Sequence, residues 1–234
     1  MPIYINKTAD FDNIYPPAYP VMGLNKTSSQ GTYGMTSTRD YSGTGHQLIT
    51  SASFDTEAMI CTPTGSSANT QIQESPQMTV VVALNIQAAT TAGNIFSCLT
   101  PQQAPWSGWR LTQSPNGVGR ILVGTGKTDV ATVSLDIGTI TGAWTSFAIT
   151  VSDTDISFLR ANGTAGSKDI TGLRSMSSNN LFINGAPSSS ALAEGITGKI
   201  GCVAVYNTVL SISEMASALN TTRDFMATKG VTLP

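Results

Sequence analysis

Charge is what this sequence has least of. Lys, Arg, Asp and Glu make up 11% of its 234 residues, against ~25% in an ordinary soluble domain. Twelve cationic and fourteen anionic side chains leave a formal charge of -2, and no basic run is present that would neutralise a row of phosphates, so nucleic acid is not an expected partner. Histidine occurs once, as His46 in "SGTGHQL", and no nucleophile elbow G-x-S-x-G accompanies it. A histidine-based triad would have to use that residue, which reads instead as a hydrogen-bonded loop histidine. Cysteine is scarce too: Cys61, Cys98 and Cys202 are odd in number and lack paired short spacings, which signals neither a disulfide framework nor a zinc ribbon. They read as three reduced, buried, small apolar side chains, with one bridge and a leftover thiol as the alternative.

Long apolar runs are missing as well. Nothing approaches the ~20 residues of a membrane span, and "MPIYINKTADFDNIYPPAYP" lacks the cationic segment and apolar core of a signal peptide. Membrane insertion is therefore not expected, and the sequons at Asn6, Asn25, Asn162 and Asn220 carry no weight. Ser, Thr, Asn, Gln and Gly take the place of charge, giving a neutral polar surface of the kind found on secreted or assembly proteins.

Such a length suits one large all-β domain or two small ones. Residues 1–45 show no helical period. The prolines of "YPPAYP" favour an extended path, so this segment reads as an N-terminal arm, with Tyr15, Pro16, Pro17 and Tyr19 as its partner-binding residues. From 46 to 234 the pattern is strands and turns. "MTVVVALNI" at 78–86 is a continuous apolar run, expected where both faces are covered. "DVATVSLDI" at 129–137 alternates, with Ala131, Val133, Leu135 and Ile137 on one face. "WTSFAITV" at 144–151 and "DISFLRA" at 155–161 are read the same way, one face inside and one wet. Asn162-Gly163, Asn116-Gly117 and Asn184-Gly185 mark turns, the first of them expected as a type I′ hairpin.

Helix is expected once, after the strand that contains Val203 and Val205. Ser211 and Glu214 are spaced as a capping box, and Leu210 and Met215 as a hydrophobic staple. Ile212, Met215 and Leu219 share one face at helical spacing. The helix is read as short, with a weaker second turn around Arg223 to Lys229.

These pieces in this order carry a resemblance. "WTSFAITV" at 144–151, "ISFLRANG" at 156–163, "NNLFING" at 179–185 and the glycine-led strand ending "VYNTVLSISE" at 205–214 resemble the laminin G-like, concanavalin A-like jelly roll. "SASFD" at 51–55, "PQMTVVVAL" at 76–84 and "GWRLTQSPNGVGRILVG" at 108–124 match its earlier strands more loosely. The resemblance covers about residues 46–220 and implies an all-β sandwich with one short C-terminal helix and an extended N-terminal arm. It also implies a core position for Trp144. The family includes adhesion modules, carbohydrate-binding modules, domains attached to enzymes and phage surface proteins, so fold alone does not fix activity.

Chemistry is sparsely signalled. Glucanase relatives carry E-x-D-x-E on one strand, as a retaining mechanism needs two nearby carboxyls; here Glu57, Glu74, Glu194 and Glu214 are far apart. Asp153 and Asp155 share a turn and are the weak candidates for a calcium ion, with a plain solvated turn as the alternative. "VGTGKT" at 123–128 ends like a phosphate loop, but Ile121 stands where its first glycine is required and a strand follows. It reads as a glycine turn. Trp106 and Trp109 in "QQAPWSGWRL" are the candidates for stacking on a sugar, with Gln102, Gln103 and Arg110 to bond its hydroxyls. The other reading makes Trp109 a core residue and Trp106 the anchor of its loop.

Together these features, with the phage relatives the resemblance brings, lead us to expect a non-catalytic virion structural or adhesion protein that is made in the host cytoplasm without a signal peptide. It is expected to need no cofactor, to contact other virion proteins, to form a homo-oligomer and to take a cell-surface glycan. A capsid decoration or baseplate protein with no glycan ligand is the alternative, and a glycoside hydrolase ranks below both.

Overall fold

A computed structural model of the chain describes residue 21, residues 23–188, residue 190 and residues 192–234. The proposed arm contacts Tyr15, Pro16, Pro17 and Tyr19 lie outside the described residues.

Fourteen strands are present among the described residues: β1 (Ser29–Tyr33), β2 (Ile49–Thr50), β3 (Met59–Cys61), β4 (Ala68–Gln73), β5 (Met78–Ile86), β6 (Gly93–Ser97), β7 (Trp109–Gln113), β8 (Val118–Gly124), β9 (Thr132–Thr139), β10 (Thr145–Val151), β11 (Asp155–Arg160), β12 (Ala165–Asp169), β13 (Asn180–Ile183) and β14 (Gly198–Tyr206). One helix, α1 (Ile212–Thr228), follows them. The first sheet runs β1-β14-β5-β10-β11-β12, with β3 also paired to β14, and the second runs β2-β4-β13-β6-β7-β8-β9. The chain is an all-β sandwich of two antiparallel sheets with a C-terminal helix, as the strand pattern led us to expect.

Side-chain alternation shows how the layers are built. In β5, Met78, Val80, Val82, Leu84 and Ile86 enter the core between the sheets, while Val81 and Ala83 enter a second cluster beneath α1. In β14, Val203 and Val205 point into the first core and Cys202, Ala204 and Tyr206 into the second. A strand with two apolar faces is what a continuous apolar run encodes. The reading of β10 needs correction: its Ser146 and Thr150 are buried and Ala148 lies beneath α1, so its second face is not wet. Those residues are small because a helix packs on them.

Helix α1 starts as its cap predicts. Ser211 Oγ accepts from the Glu214 N–H, and the Glu214 carboxylate accepts from the Ser211 N–H at 2.9 Å. Leu210 and Met215 are both buried in the second cluster. Two expectations change. Ile212 is 65% exposed and not on the apolar face, and the helix is continuous for 17 residues. Its extension follows from Met215, Ala218, Leu219, Thr222, Phe225 and Met226, all buried along one stripe. Met226 packs closely on Gly201 of β14, where a Cβ would collide with its methyl. Lys229 closes the helix by donating to the carbonyls of Glu57 at 2.8 Å, Gly201 at 2.7 Å and Gly34. Burial lowers its ammonium pKa to about 8.

The arm boundary at residue 45 also moves. Residues 29–33 form β1, paired to β14 with Thr32 opposite Ala204 and Tyr33 opposite Val203. Thr32 and Tyr33 are wholly buried, and the Tyr33 hydroxyl donates to the His46 carbonyl at 2.7 Å. A Gly, Ser and Thr rich edge strand has no apolar alternation to announce it. Asn162-Gly163 turns the β11–β12 hairpin, but only Gly163 has positive φ. Gly163 N–H donates to Arg160 O and Arg160 N–H to Thr164 O, a type I turn with a glycine bulge in place of type I′. Asn184-Gly185 makes no hairpin. All three cysteines are free and buried, and burial raises the thiol pKa of Cys61 and Cys202 to about 12.

Replacing Ser211 with Ala should lower unfolding free energy by about 0.5–2 kcal/mol, read as a shifted urea midpoint with an unchanged m-value.

Candidate functional site

Residues directly opposite in an antiparallel ladder project on the same side, so the register maps the second sheet's two faces. One row runs Ala68, Ile183, Phe96, Leu111, Ile121, Leu135, and these pack in the inter-sheet core. The adjacent row runs Ile49, Asn69, Phe182, Ser97, Arg110, Leu122, Ser134, and therefore lies on the outer face. None of the second sheet's residues joins the cluster beneath α1. Among the described residues, the helix covers one sheet and no helix covers the outer face of the other.

Two loops border that row. At one end, Asn94 Nδ2 donates to Leu192 O at 2.6 Å and to Glu194 O at 3.2 Å, drawing residues 192–195 over the start of β6, where Gly93 leaves room for the Gly195 carbonyl. At the other, the Trp106 backbone lies over Gly124 so closely that a Cβ there would collide with it. Gly126 N–H donates to Trp106 O at 2.8 Å and Gly108 N–H to Ser175 O at 2.7 Å.

The sequence candidates separate here. Trp109 is wholly buried in the inter-sheet core, which corrects its assignment as a stacking residue: its strand alternation aims it inward and its neighbour Arg110 outward. Trp106 is half-buried at the loop border, Gln103 is exposed at the loop tip and Arg110 is half-buried on the face. Arg110 Nε and Nη1 and Trp106 Nε1 are shielded from solvent with no acceptor within hydrogen-bond distance. Burial pushes the Arg110 guanidinium below its ordinary pKa. The next outward pair differs: Arg120 on β8 holds Asp136 on β9 through Nε at 2.5 Å and Nη2 at 3.0 Å. Arg110 is thus a cation on this face to which no carboxylate of the described residues is bonded.

Sequence reasoning missed the ion pair behind the site. Arg174 Nη2 donates to Glu74 Oε1 at 2.7 Å, with the two side chains 1% and 0% exposed. Glu74 Oε2 accepts from the Ser177 N–H at 2.6 Å, and Arg174 also donates to the carbonyls of Ser75 and Pro76. The pair ties the end of β4 to residues 174–177, the segment that carries Ser175 beneath the Trp106 loop. A separation of 100 residues gave no local signal. Desolvation raises the Glu74 pKa in spite of Arg174.

The remaining candidates take structural places. Asp153 meets Arg174 Nη1 at 3.3 Å, while Asp155 accepts from Ser152 Oγ at 2.8 Å; the two carboxylates serve different partners. No group of three or more His, Cys, Asp or Glu is placed to hold a metal ion among the described residues. His46 Nδ1 lies 2.6 Å from Gln30 O in its loop. "VGTGKT" turns from β8 toward β9, with Gly126 at φ 69°. Glu57 pairs with Lys199 at 2.8 Å.

Residues 55–216 match a family described as the concanavalin A-like lectin/glucanases superfamily. The chain belongs to this family. Among solved structures it is similar to the CBM40 of Ruminococcus gnavus IT-sialidase bound to α2,3-sialyllactose, at a TM-score of 0.50 and 15% identity over 63% of this chain and 83% of that one. Trypanosoma rangeli sialidase gives a TM-score of 0.64 and 14% identity over 87% of this chain and 34% of that one. For the binding domain of Paraclostridial Mosquitocidal Protein 1 the values are 0.60 and 13%, over 87% and 53%. At such identities the likeness is one of fold. Comparison with curated protein sequences finds no match. The family match ends inside α1, whose later residues Phe225 and Met226 still belong to the packed fold.

Arg174→Met strands a buried carboxylate and should cost about 3–5 kcal/mol. Glu74, with its folded pKa raised further, then adds stability that is present below its ordinary pKa and lost as pH rises through the folded one. Urea unfolding should therefore find the variant more stable at pH 5 than at pH 7.5.

Proposed function

We propose that this chain is a non-catalytic, glycan-binding adhesion protein of a virus particle, whose ligand lies on the outer face of the second sheet against Arg110 and Trp106. The observation that carries this reading is Arg110: its guanidinium is half-buried on the open face without a hydrogen-bonded carboxylate, and a buried charge left unpaired costs folding free energy. An acidic sugar would supply the missing countercharge, and the half-buried Trp106, whose backbone borders the same face, would meet a sugar ring. The fold likeness to the CBM40 bound to α2,3-sialyllactose supports this ligand class.

A binding role is favoured over hydrolysis by where the carboxylates stand. Glu74 is sealed against Arg174, Glu214 caps α1 and Glu57 serves Lys199, which leaves no adjacent acid and nucleophile of the retaining type among them. Placement in a virion, as a homo-oligomer in contact with other virion proteins, is supported by the low charge and the resemblance of the strand order to phage surface domains. On this reading residues 1–20 supply the contact with neighbouring subunits.

Glycan-array binding by the purified chain, followed by titration of the best ligand, tests the proposal. Arg110→Met should abolish binding while the melting temperature stays level or rises, because an unpaired cation is replaced by an apolar side chain of similar length. Binding that survives in Arg110→Met would overturn the site at Arg110, and no glycan bound at all would leave the purely structural decoration or baseplate role.

A further inference from the structure

We infer that the ligand is a linear oligosaccharide of at least three sugars, lying across the strands with its carboxylate-bearing end at Arg110 and a neutral sugar on Phe182. The inference rests on the glycan-binding reading and extends it along the row that contains Arg110. From Arg110 on β7 the register leads through Ser97 to Phe182 on β13, then to Asn69 on β4 and Ile49 on β2. With strands about 4.8 Å apart, Phe182 lies about 10 Å from Arg110 and Ile49 about 19 Å. The first distance is the length of a disaccharide, and the second calls for a longer chain.

The composition of this half of the face suits a neutral sugar. Ile49 is 61% exposed on it, and Phe182 is half-buried. On a solvent-facing strand surface an aromatic and an aliphatic side chain in one row, on either side of Asn69, offer an apolar strip interrupted by one amide. Gln71 and Gln73 of β4 also alternate outward, and Asn180 stands opposite Gln73. Gln71 is held at φ 62°, a conformation that L residues adopt at a cost. Its N–H donates to Asn69 Oδ1 at 2.8 Å and its Nε2 to Gln47 O at 2.6 Å, which fixes both amides. Ser97 lies between Arg110 and Phe182 on the outer row and is wholly buried, so no exposed polar side chain separates the two positions. Apolar strip, fixed amides and a single cation at one end correspond to a sugar chain with apolar ring faces, hydroxyls and one terminal charge.

NMR titration, which reads millimolar binding, tests this with two ligand pairs: N-acetylneuraminic acid against 3′-sialyllactose, and glucuronic acid against a linear tetrasaccharide whose one carboxylate is a terminal glucuronate. Phe182→Leu keeps an apolar side chain at this position but removes the ring. It should weaken the oligosaccharide that binds by about tenfold and leave the matching monosaccharide within twofold. Ile49→Ser, at an exposed position, should weaken only the tetrasaccharide. Equal losses for both members of a pair in Phe182→Leu, or no loss while Arg110→Met still abolishes binding, would overturn the extended site and leave the Arg110 site standing. Binding unchanged in Arg110→Met would overturn the Arg110 site and this inference with it, and none of the four sugars bound by the wild-type chain would overturn the glycan-binding reading as well.

Discussion

Apolar contact between α1 and the first sheet decides which surface of the sandwich stays open. Strands β5, β10 and β14 offer a hydrophobic set on each face, and only a two-sided environment removes both sets from water. Val81, Ala83, Ala148, Cys202 and Ala204 are small enough for a helix to approach, and Gly201 lets Met226 reach the backbone. The Lys229 ammonium, bonded to carbonyls from three separate segments, holds the end of α1 in that position. The second sheet has no such continuous second apolar set: its outward residues Ile49, Phe182 and Leu122 are interspersed with Asn69, Gln71, Ser97, Arg110, Thr112 and Arg120.

Three arginines show how this frame distributes cost. Arg174 is almost fully buried and is matched by Glu74, Asp153 and two carbonyls. Arg120 is exposed and forked onto Asp136, where solvent screening makes the pair worth little. Arg110 is intermediate in exposure and has Nε and Nη1 shielded without an acceptor. A shielded donor left without a partner costs about 1–3 kcal/mol. Arg174 Nε carries that penalty as well, but the Nη atoms of Arg174 and the fork of Arg120 meet carboxylates, so of the three Arg110 is the one with no bonded carboxylate among the described residues.

Much of the architecture was legible because it is written in periodicity. The run at 78–86 is β5 residue for residue, and the Ser211 and Glu214 spacing is the observed capping box. Where backbone chemistry replaces hydrophobic pattern, reading failed: β1 is a Ser, Gly and Thr strand recognisable only from its pairing with β14. The wet face assigned to β10 failed for a related reason, since Ser146 and Thr150 look solvated until a helix is known to lie over them. At the site, alternation within "GWRL" was sufficient to send Trp109 and Arg110 to opposite faces, and the burial of Trp109 follows from it. Phe182 and Ile49 could not have been joined to Arg110 from sequence, because their common row exists only once the strand order β2-β4-β13-β6-β7 is known.

The placement of Trp106 depends on more than its own loop. Gly108 donates to Ser175, Ser175 to Gly124, Gly124 to Gly108 and Gly126 to Trp106, all between backbone groups at 2.7–2.8 Å, and Ser107 Oγ meets Ser175 Oγ at 2.8 Å. These bonds join the loops around Trp106, Gly126 and Ser175 into one unit at the end of the sheet. That unit is held from behind by Arg174 and Ser177, both bonded to Glu74. A ring tied this way does not have to be ordered when a ligand arrives, which removes part of the entropic cost of association. On the glycan-binding reading proposed above, the buried ion pair therefore matters without touching a ligand: it holds the loops that border the face on which the sheet register places Arg110.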